Sequence, residues 1–569
     1  MSVAHDYVQI ASCDTDDLPN WVAIGDGALS NNTTIYREGD AGINIYKPNT
    51  TQTLFGAYKD IPTVNMKNKA LALFLWIKSV EVLEKIASCK LRVYDVNGNW
   101  GEYDVTHLLR AGWHIIGMPV DTYAFDNQSA TAPDLTQVSR IEIRFETTDP
   151  SITIDEGDIV MDNWVYGQYF RVIYGTESEP WTFDKVYREV HRLKLPIMEK
   201  IGNNCYVLIG RLYIGDNYHE TWFIDKNFVL ISIVNSNSWG AFFTNYNYAK
   251  LRLGEIIEEA TKRTAYGGVI VNASKNCYAS VFGGAGTESR IECYGTVFKS
   301  YYARGLWIND AVAKPETPNR FWNISAMFRV QNIFMYHTEI YNWIATEPEY
   351  GLQIKSTTPR ILSAIVKGGY EGIRLGSWNY SARVENIIIQ DTGRMIYCWG
   401  ASGNPSAELV NIETTTWKTY IAGTEGTPFK ILIKYRVKFR VKDKDGNPLS
   451  GRLLKIYDRN GNYITELSTD VNGETDYFEL PYAKLEDTLP ASSHLYDYDD
   501  YYKFFPYTIE VWYGAELEAK FIGVNIQMLA KDQVIELFVK PSRKTLDDII
   551  TEIQKHHRKI QNLILALHR

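Results

Sequence analysis

Two glutamates lie among aromatic residues in the second half of the chain, and this is where the sequence offers most for chemistry. Aromatic rings present flat apolar faces that suit sugar rings, and carboxylates accept hydrogen bonds from sugar hydroxyls. These residues could line a groove that binds or hydrolyses a sugar, or they could be ordinary solvent-facing residues of a repetitive fold. The candidates are Tyr370, Glu371, Trp378, Tyr380, Glu385 and Trp399.

The scarcity of paired acids weakens the hydrolytic interpretation. Most glycoside hydrolases place two carboxylates on either side of the bond that they cleave. Only four aspartates occur between residues 200 and 430, and no two of them are adjacent. We therefore assign no catalytic residue and favour binding over catalysis, while enzymatic activity stays an open question.

Motifs for several other chemistries are absent from the sequence. There is no G-x-x-x-x-G-K-[ST] phosphate loop, no G-x-S-x-G nucleophile elbow and no H-E-x-x-H zinc motif. Gly283–Gly286 is an isolated glycine cluster that is typical of a turn. The six cysteines are scattered without a C-x-x-C pair, which indicates free buried thiols. We expect no cofactor.

Composition limits the class of protein further. The chain has 569 residues, 45% hydrophobic and 22% charged, with a formal net charge of −9, which suits a folded protein and excludes a globally basic nucleic-acid binder. No apolar run approaches the 18 or so residues that a membrane span needs, so we expect none. Residues 1–20 lack the basic and apolar regions of a signal peptide, and we expect no leader.

The candidate residues lie within a repeat of short apolar runs. Runs around Ile365, Ile388 and Ile412 follow one another at about 23 residues, and each is followed by a second short run. A period in the twenties built of strands and turns indicates a β-solenoid, in which stacked coils build the core together. Residues 201–430 resemble a right-handed parallel β-helix of the pectate-lyase-like type in this pattern, though not in catalytic residues.

Residues 1–168 consist of strand-like runs separated by turn clusters, which predicts a β-sandwich. The order of Trp21, Glu38-Gly39, Trp113 and the closing Asp162-Asn163-Trp164 resembles a jelly-roll carbohydrate-binding-module-like domain. The three tryptophans are expected to pack in the core, and the alternative is that they stack on a sugar. The resemblance implies a structural calcium held by a closing pair of aspartates, but the second position is Asn163, so no metal site is assigned.

Two further segments flank the repeat. Residues 169–200 are a connector whose apolar positions Phe183, Val186, Tyr187 and Val190 predict a capping helix that begins after Thr182. Residues 431–540 alternate apolar and polar residues between Asp-Gly and Asn-Gly turns. They resemble carboxypeptidase-regulatory-like, immunoglobulin-type sandwich domains, which act mostly as spacers or adhesion modules.

The tail at residues 541–569 carries apolar residues spaced alternately three and four apart, which predicts a short α-helical coiled coil. Isoleucine at both core positions favours trimers or tetramers over dimers, and His556 among them could set the register or respond to pH. The alternative is a single amphipathic helix that docks on its own chain. The core positions are Leu546, Ile549, Ile553, His556, Ile560, Leu563 and Leu567.

A mainly β chain of this layout is typical of an elongated attachment protein. Our leading hypothesis is a viral tail-spike, fibre or surface-spike subunit, a homotrimer that contacts other virion proteins and binds host-surface glycans. Such a subunit is assembled in the host cytoplasm and acts on the virion surface. The alternatives are a β-helix polysaccharide hydrolase or lyase with a binding module, and a cellular surface adhesin.

Overall fold

The computed structural model confirms a mainly β protein. Helices are few, and among the described residues none is long and apolar enough to cross a membrane. The described residues are 1–122, 124–233, 242–245, 248–259, 262–272, 280–283, 290–300, 306–309, 319–322, 325–327, 331–334, 338–341, 343–346, 352–354, 360–361, 364–367, 370–376, 378, 381–540 and 553–558.

The N-terminal region contains fourteen strands, a five-residue helix α1 (Val80–Glu84), and 3-10 turns at Leu18–Asn20 and Thr106–Leu108. The strands are β1 (Ser2–His5), β2 (Val8–Ala11), β3 (Trp21–Gly25), β4 (Ala28–Asn32), β5 (Gly42–Tyr46), β6 (Leu54–Val64), β7 (Lys69–Ile77), β8 (Ile86–Asp95), β9 (Trp100–Asp104), β10 (Gly112–Val120), β11 (Asn127–Gln128), β12 (Val138–Thr147), β13 (Ile159–Gly167) and β14 (Tyr169–Ile173).

Twelve of these strands form a sandwich of two antiparallel sheets. Sheet I has the order β10-β7-β13-β5-β4, with β2 added to β13, and sheet II has the order β11-β9-β8-β12-β6-β3. Trp21 and Trp164 are buried between the sheets with ring centroids 5.6 Å apart, as expected for core residues. Trp113 is only half-buried and lies on the other side of sheet I, next to Phe74 and Trp76.

Helix α2 (Phe183–Arg192) follows the sandwich where the sequence predicts it. The Thr182 hydroxyl caps its start by accepting a hydrogen bond from the Lys185 amide, and Phe183, Val186 and Val190 are buried. The Phe183 amide donates to the Asp225 carboxylate at 2.8 Å, which ties the first turn to a strand of the following repeat. The helix therefore covers the first coil of that repeat.

Twenty-eight strands follow up to residue 443. They are β15 (Met198–Gly202), β16 (Cys205–Ile209), β17 (Arg211–Ile214), β18 (Thr221–Asp225), β19 (Val229–Ile233), β20 (Phe242–Asn245), β21 (Ala249–Leu253), β22 (Glu255–Glu259), β23 (Lys262–Tyr266), β24 (Val269–Asn272), β25 (Ser280–Gly283), β26 (Arg290–Tyr294), β27 (Val297–Ser300), β28 (Leu306–Asn309), β29 (Asn319–Trp322), β30 (Ser325–Met327), β31 (Gln331–Phe334), β32 (Thr338–Tyr341), β33 (Trp343–Thr346), β34 (Leu352–Ile354), β35 (Arg360–Ile361), β36 (Ala364–Lys367), β37 (Ile373–Gly376), β38 (Ser381–Gln390), β39 (Ile396–Ala401), β40 (Ser406–Thr414), β41 (Thr419–Gly423) and β42 (Pro428–Asp443).

From β16 to β41, which we call the parallel stack, successive coils pair their strands in parallel. One row, sheet III, contains β14-β17-β20-β25-β28-β31-β34-β37-β39-β41, with antiparallel β1 and β46 (Ser493–Tyr496) at its ends. The other two rows are β16-β19-β24-β27-β30-β33-β36 and β18-β21-β26-β29-β32-β35, which meet in β38. Each coil thus contributes one strand to each row, and the hairpin β22–β23 is an insertion.

The register of the stack aligns equivalent residues of successive coils. In sheet III, Leu375 pairs with Cys398 and Cys398 with Ile421, and all three are buried. The preceding residue on each of these strands points to the other face of the sheet and is less buried. This alternation is expected when one face of a sheet covers a core. A single coil cannot bury its own apolar face, so this stacking builds the core of the region.

The C-terminal region has eight further strands and a 3-10 turn at Tyr498–Asp500. Besides β46, they are β43 (Leu453–Tyr457), β44 (Tyr463–Ser468), β45 (Phe478–Thr488), β47 (Tyr502–Lys503), β48 (Tyr507–Tyr513), β49 (Glu516–Val524) and β50 (Gln533–Val539). A four-stranded sheet has the order β44-β43-β48-β49. The long strand β42 pairs with β40 of the stack and with β45 and β50 of this region.

Three turns of this region share one hydrogen-bond pattern. In each, an aspartate Oδ1 accepts from the amides two and four residues ahead, and a glycine three residues ahead has positive φ. The glycines tolerate this left-handed conformation because they lack Cβ. The aspartates are Asp443, Asp458 and Asp470.

The structure has two apolar cores. One lies inside the N-terminal sandwich, and the other runs from the outer face of sheet I through α2 and the stack to the last strands. Ala72, Phe74 and Ile115 of sheet I belong to this second core, and a Cβ on Gly117 would come within 2.7 Å of the Ile209 side chain. The part of the outer face of sheet I that β7, β10 and β13 form is therefore covered.

The predicted coiled coil falls mostly outside the described residues. Residues 553–558 are helical, and Ile553 and His556 are exposed there. Leu546, Ile549, Ile560, Leu563 and Leu567 lie outside the described residues, so the coiled coil stays a prediction.

A fully buried lysine links three segments of the sandwich. The Lys47 ammonium donates to the carbonyl oxygens of Asn49, Pro150 and Ile152, each at 2.8 Å, and lies 3.9 Å from the Asp26 carboxylate. A buried ammonium needs such partners because its desolvation is costly. Lys47 thus holds the 150–152 segment against the end of β5.

We expect Lys47→Met to destabilise the sandwich by roughly 3 kcal/mol, because buried carbonyls lose their donor. Amide hydrogen exchange in β5 of the full chain should accelerate about 100-fold as local opening becomes easier. The control is Lys78→Met, since Lys78 is exposed and pairs with Asp158 only at its tip. Equal exchange rates in the two variants would contradict this role of Lys47.

Candidate functional site

The six predicted site residues separate in the structure. Tyr370 and Trp399 are exposed, with 54% and 48% of their surface accessible. Glu371 lies beside them but is buried. Trp378 and Glu385 lie elsewhere, and Tyr380 lies outside the described residues.

Trp378 is a core residue rather than part of a groove. Its ring is fully buried near Phe429, and its Nε1–H donates to the Ser406 carbonyl at 3.4 Å. It follows the end of β37, at a corner between two rows of the stack, and from there the side chain fills the interior. A ring in this position cannot present a face to a sugar.

Glu385 is held in an ion-pair network on a different row of the stack. Its carboxylate accepts from Arg383 at 2.7 Å and from Arg436 at 2.9 Å, and it is 3% exposed. Glu479 and Glu408 complete the network around Arg383. These cations hold the pKa of Glu385 below its usual range despite the burial. Glu385 is therefore a structural anion, and it does not join Glu371 in a pair.

Exposed and half-buried side chains around Tyr370 and Trp399 form a surface that we call the aromatic–arginine patch. One row of sheet III places Arg374, Tyr397 and Tyr420 at equivalent positions on β37, β39 and β41. The Tyr397 and Tyr420 rings are stacked, with centroids 5.3 Å apart and planes 7° apart. The members of the patch are Tyr370, Arg374, Arg394, Tyr397, Trp399 and Tyr420.

Arg394 lies in the middle of the patch, on the turn before β39. Its Cζ is 4.5 Å from the centroids of both the Tyr370 and Tyr420 rings and 5.5 Å from that of Tyr397. One Nη2–H donates to the Tyr370 hydroxyl at 2.8 Å. Cation–π contacts of this kind stabilise a guanidinium and fix its plane.

Trp399 is an exposed aromatic residue of the patch whose ring faces are not covered by its neighbours in the register. Its partners in the register are Gly376 on β37 and Ala422 on β41, and neither carries a large side chain. The structure gives no ring or cation contact to Trp399 from the described residues. The indole can therefore offer a flat apolar face to a ligand.

Glu371 is the carboxylate beneath the patch. It is 2% exposed, and burial raises its pKa to about 7, while Arg374 and Arg394 pull the pKa down. Its Oε2 lies 3.8 Å from Arg374 Nη1, and no described residue donates a hydrogen bond to it. The group can be protonated near neutral pH, so it adds less negative charge to the patch than an exposed glutamate would.

Four patch residues were not among the sequence candidates: Arg374, Arg394, Tyr397 and Tyr420. The signal that could have found three of them is their spacing, since Arg374, Tyr397 and Tyr420 follow one another at the period of the repeat. Equivalent positions of stacked coils lie side by side, so polar or aromatic residues that recur at the repeat period mark one exposed row. Arg394 lies outside this row, and the sequence gives no comparable signal for it.

A second aromatic surface covers the outer face of sheet II. Here the rings are covered by arginines: Arg92 Cζ lies 3.9 Å from the Trp100 centroid, and Arg140 Cζ lies 4.0 Å from that of Tyr58. Arg92 also pairs with Glu102, and Arg140 with Asp60. Because rings and charges are satisfied within the face, it is a weaker candidate than the patch.

The closing residues of the sandwich do not fit the calcium site that the resemblance implies. Asp162 Oδ2 accepts the amides of Arg37 and Glu38, and burial raises the pKa of Asp162 to about 7. The Asn163 amide group is engaged with Gln9 and the Lys194 carbonyl. In the described part of the chain, no three His, Cys, Asp or Glu side chains are grouped as metal ligands.

The chain matches no protein-family model and no curated protein. It is similar to the solved structure of a family 11 carbohydrate-binding module from Clostridium thermocellum in complex with a mixed-linked tetrasaccharide, with 15% identity and a TM-score of 0.21 over 28% of this chain and 95% of the other. A family 22 module of Clostridium thermocellum Xyn10B gives 13% identity and 0.19 over 28% and 91%. An exo-β-agarase gives 12% identity and 0.22 over 29% and 24%. At these values the function has to be argued from the site itself.

Glu371→Gln tests the burial of this carboxyl. A carboxyl whose folded-state pKa is raised stabilises the fold below its unfolded pKa of about 4.5, and this contribution is lost as the pH rises through about 7. We expect the wild type to lose about 2.5 kcal/mol more stability than Glu371→Gln between pH 5 and pH 8, because the other buried carboxyls, such as Asp162, titrate in both proteins. Thermal unfolding of the full chain at both pH values measures the difference.

The matched control is Glu385→Gln, which removes a carboxylate whose folded-state pKa is lowered. Its stabilisation is present above the unfolded pKa, so this variant should melt below the wild type at pH 8. An unchanged pH dependence in Glu371→Gln would mean that Glu371 is not the buried titrating group.

Proposed function

We propose that the chain binds glycans through the aromatic–arginine patch. The observation that carries this proposal is the open indole of Trp399, flanked by Gly376 and Ala422 and bordered by tyrosines and arginines. A sugar ring can pack its C–H face on the indole while its hydroxyls accept hydrogen bonds from the guanidinium groups. The site is shallow and preformed, which is suited to a polymer rather than to a small enclosed ligand.

We propose further that the chain is an attachment subunit on the surface of a virus particle, assembled in the host cytoplasm with other virion proteins. The serial layout that the sequence predicts supports this: a jelly-roll sandwich, a parallel β-helix, an immunoglobulin-type sandwich and a heptad tail. One shallow glycan site binds weakly, but several copies on one assembly raise the effective affinity by 10²–10⁴. Trimerisation through the tail would supply such copies.

Hydrolysis or cleavage of a polysaccharide is the second candidate, because the raised pKa of Glu371 suits a general acid. Its weakness is that the described residues of the patch offer no second carboxylate to act with Glu371. A cellular surface adhesin would use the same binding surface without a particle. Mass spectrometry of purified particles distinguishes the proposals, since peptides of this chain are expected there and their absence contradicts the virion assignment.

Trp399→Ala should abolish most glycan binding, because it removes the stacking platform and leaves the fold intact at an exposed position. A glycan array probed with the full chain identifies the bound sugars, and titration calorimetry then compares the variants. We expect at least a tenfold loss of affinity, which corresponds to about 1.4 kcal/mol.

The matched control for this experiment is Tyr463→Ala. Tyr463 is an exposed aromatic residue of β44, 55% accessible and remote in sequence from the patch. Equal affinity of Trp399→Ala and wild type would contradict the site, and a wild type that binds no sugar on the array would contradict the function.

The heptad tail should set the oligomeric state. Light scattering is expected to give three times the mass of one chain for the full protein and a single chain mass when the chain ends at residue 540. Ile553, 61% exposed in the helical segment, is an a/d position, so Ile553→Asn should weaken the assembly while Lys555→Asn should not. Equal masses for the full and shortened chains would contradict the trimer.

A further inference from the structure

Arg394 differs from Arg252 and Arg383, two other half-buried arginines of the stack, because no described carboxylate forms an ion pair with it. Arg252 pairs with Glu292 at 2.7 Å and with Glu177 at 2.8 Å, and Arg383 is bonded by three glutamates. Arg394 makes no ion pair with any described residue, and its one hydrogen bond goes to the neutral hydroxyl of Tyr370. Among the described residues, its positive charge is offset by ring faces and, more weakly, by the buried Glu371 carboxyl, whose pKa it helps to lower.

The guanidinium is nevertheless held in place. Three tyrosine rings lie within 5.5 Å of Cζ, and a single Nη2–H is engaged. A guanidinium has five N–H donors in a planar fork, so most of this fork is unused. Because the rings already restrict the side chain, little further conformational entropy is lost when a ligand binds.

The described residues give the patch more cationic than anionic side chains. Arg374 and Arg394 are its two cations, and Glu371 beneath them is its one carboxylate among the described residues. Glu371 is buried and therefore not positioned to meet a ligand at the surface. Glu385 and Glu408 are engaged in the ion-pair network of another row and do not neutralise the patch.

We propose that the glycan bound at the patch is acidic and that Arg394 binds its carboxylate or sulfate group through the free part of its fork. This inference rests on the proposed glycan binding and names the class of sugar. Planar, bidentate recognition of an oxyanion is the interaction for which arginine is best suited. Trp399 would then pack against the ring of the same or the neighbouring sugar.

The test compares matched acidic and neutral probes on the full chain. Sialyllactose is compared with lactose, a galacturonate trimer with its methyl ester, and a sulfated galactan with the unsulfated polymer. Affinities are measured by surface plasmon resonance at constant ionic strength. We expect at least one acidic probe to bind roughly tenfold or more tightly than its neutral partner. Carboxylate and sulfate probes distinguish the two oxyanions, and competition with inorganic phosphate identifies a site that binds any free anion.

Three variants locate the interaction. Arg394→Gln should reduce the affinity for the acidic probe to that of the neutral probe, and Arg394→Lys should recover part of it because lysine keeps the charge without the fork. Arg459→Gln is the control, since Arg459 also lies over a tyrosine ring, that of Tyr502, but belongs to the C-terminal region. Thermal melting verifies that each variant is folded, and Arg394→Lys serves alone if Arg394→Gln is not.

The outcomes separate the two proposals. Equal binding of acidic and neutral probes overturns the acidic class while leaving glycan binding in place. A preference for acidic probes that survives Arg394→Gln overturns the assignment to Arg394. Half-saturation by phosphate at the same concentration as by the acidic sugar indicates an anion site without sugar recognition, and it overturns the proposal. If no probe or array sugar binds, the proposed function itself fails.

Discussion

Parallel stacking of coils is the constraint on which the rest of this structure depends. Each coil exposes apolar side chains that its own strands cannot cover, so residues such as Leu375, Cys398 and Ile421 become buried only because their neighbours repeat the same pattern. The first and last coils would still be open. Helix α2 and the outer face of sheet I cover one end, and strand β42 continues the other end into the C-terminal region. The second core therefore includes residues of the N-terminal sandwich, of the described coils and of the last strands.

The same stacking arranges the exposed side of the molecule. When inward residues are held in register, the outward residues between them are held in register too, and this creates the row Arg374, Tyr397 and Tyr420 without any dedicated scaffold. The stacked tyrosine rings pack against the Arg394 guanidinium and restrict its movement, and the small residues beside Trp399 leave its ring uncovered. Rigidity of the site thus comes from the hydrogen bonds of the ladder. On the outer face of sheet II, by contrast, the arginines pair with carboxylates of the same face. This difference makes the aromatic–arginine patch the better candidate for a binding surface.

The comparison of sequence and structure is informative at particular residues. The spacing of the apolar residues predicted helix α2 with its Thr182 cap. This was possible because a helix and its cap depend on residues that are close together in the sequence. The repeat period placed the candidate surface near Tyr370 and Trp399, both of which are exposed. The sequence did not distinguish the buried residues Trp378 and Glu385 from these exposed ones. Corners between the rows interrupt the alternation of inward and outward side chains and reverse which of them point inward. The role of Arg394 depends on three rings from neighbouring coils, a contact that no local pattern describes.

Strand β42 has a mechanical consequence. It spans Pro428–Asp443 without interruption. Its first part pairs with β40 of the stack on one side and with β45 on the other, and its last part pairs with β50 of the C-terminal region. The two regions therefore share one strand and are not joined by a linker. A pulling force applied at the tail would act in shear on the backbone hydrogen bonds of β42, and many of these bonds would bear the force at the same time. The force would then be transmitted to the coils that carry Trp399 without first extending a linker. A force applied at one end of the molecule would therefore be transmitted to the other end as tension and torsion, because the connection is a continuous strand and not a flexible linker.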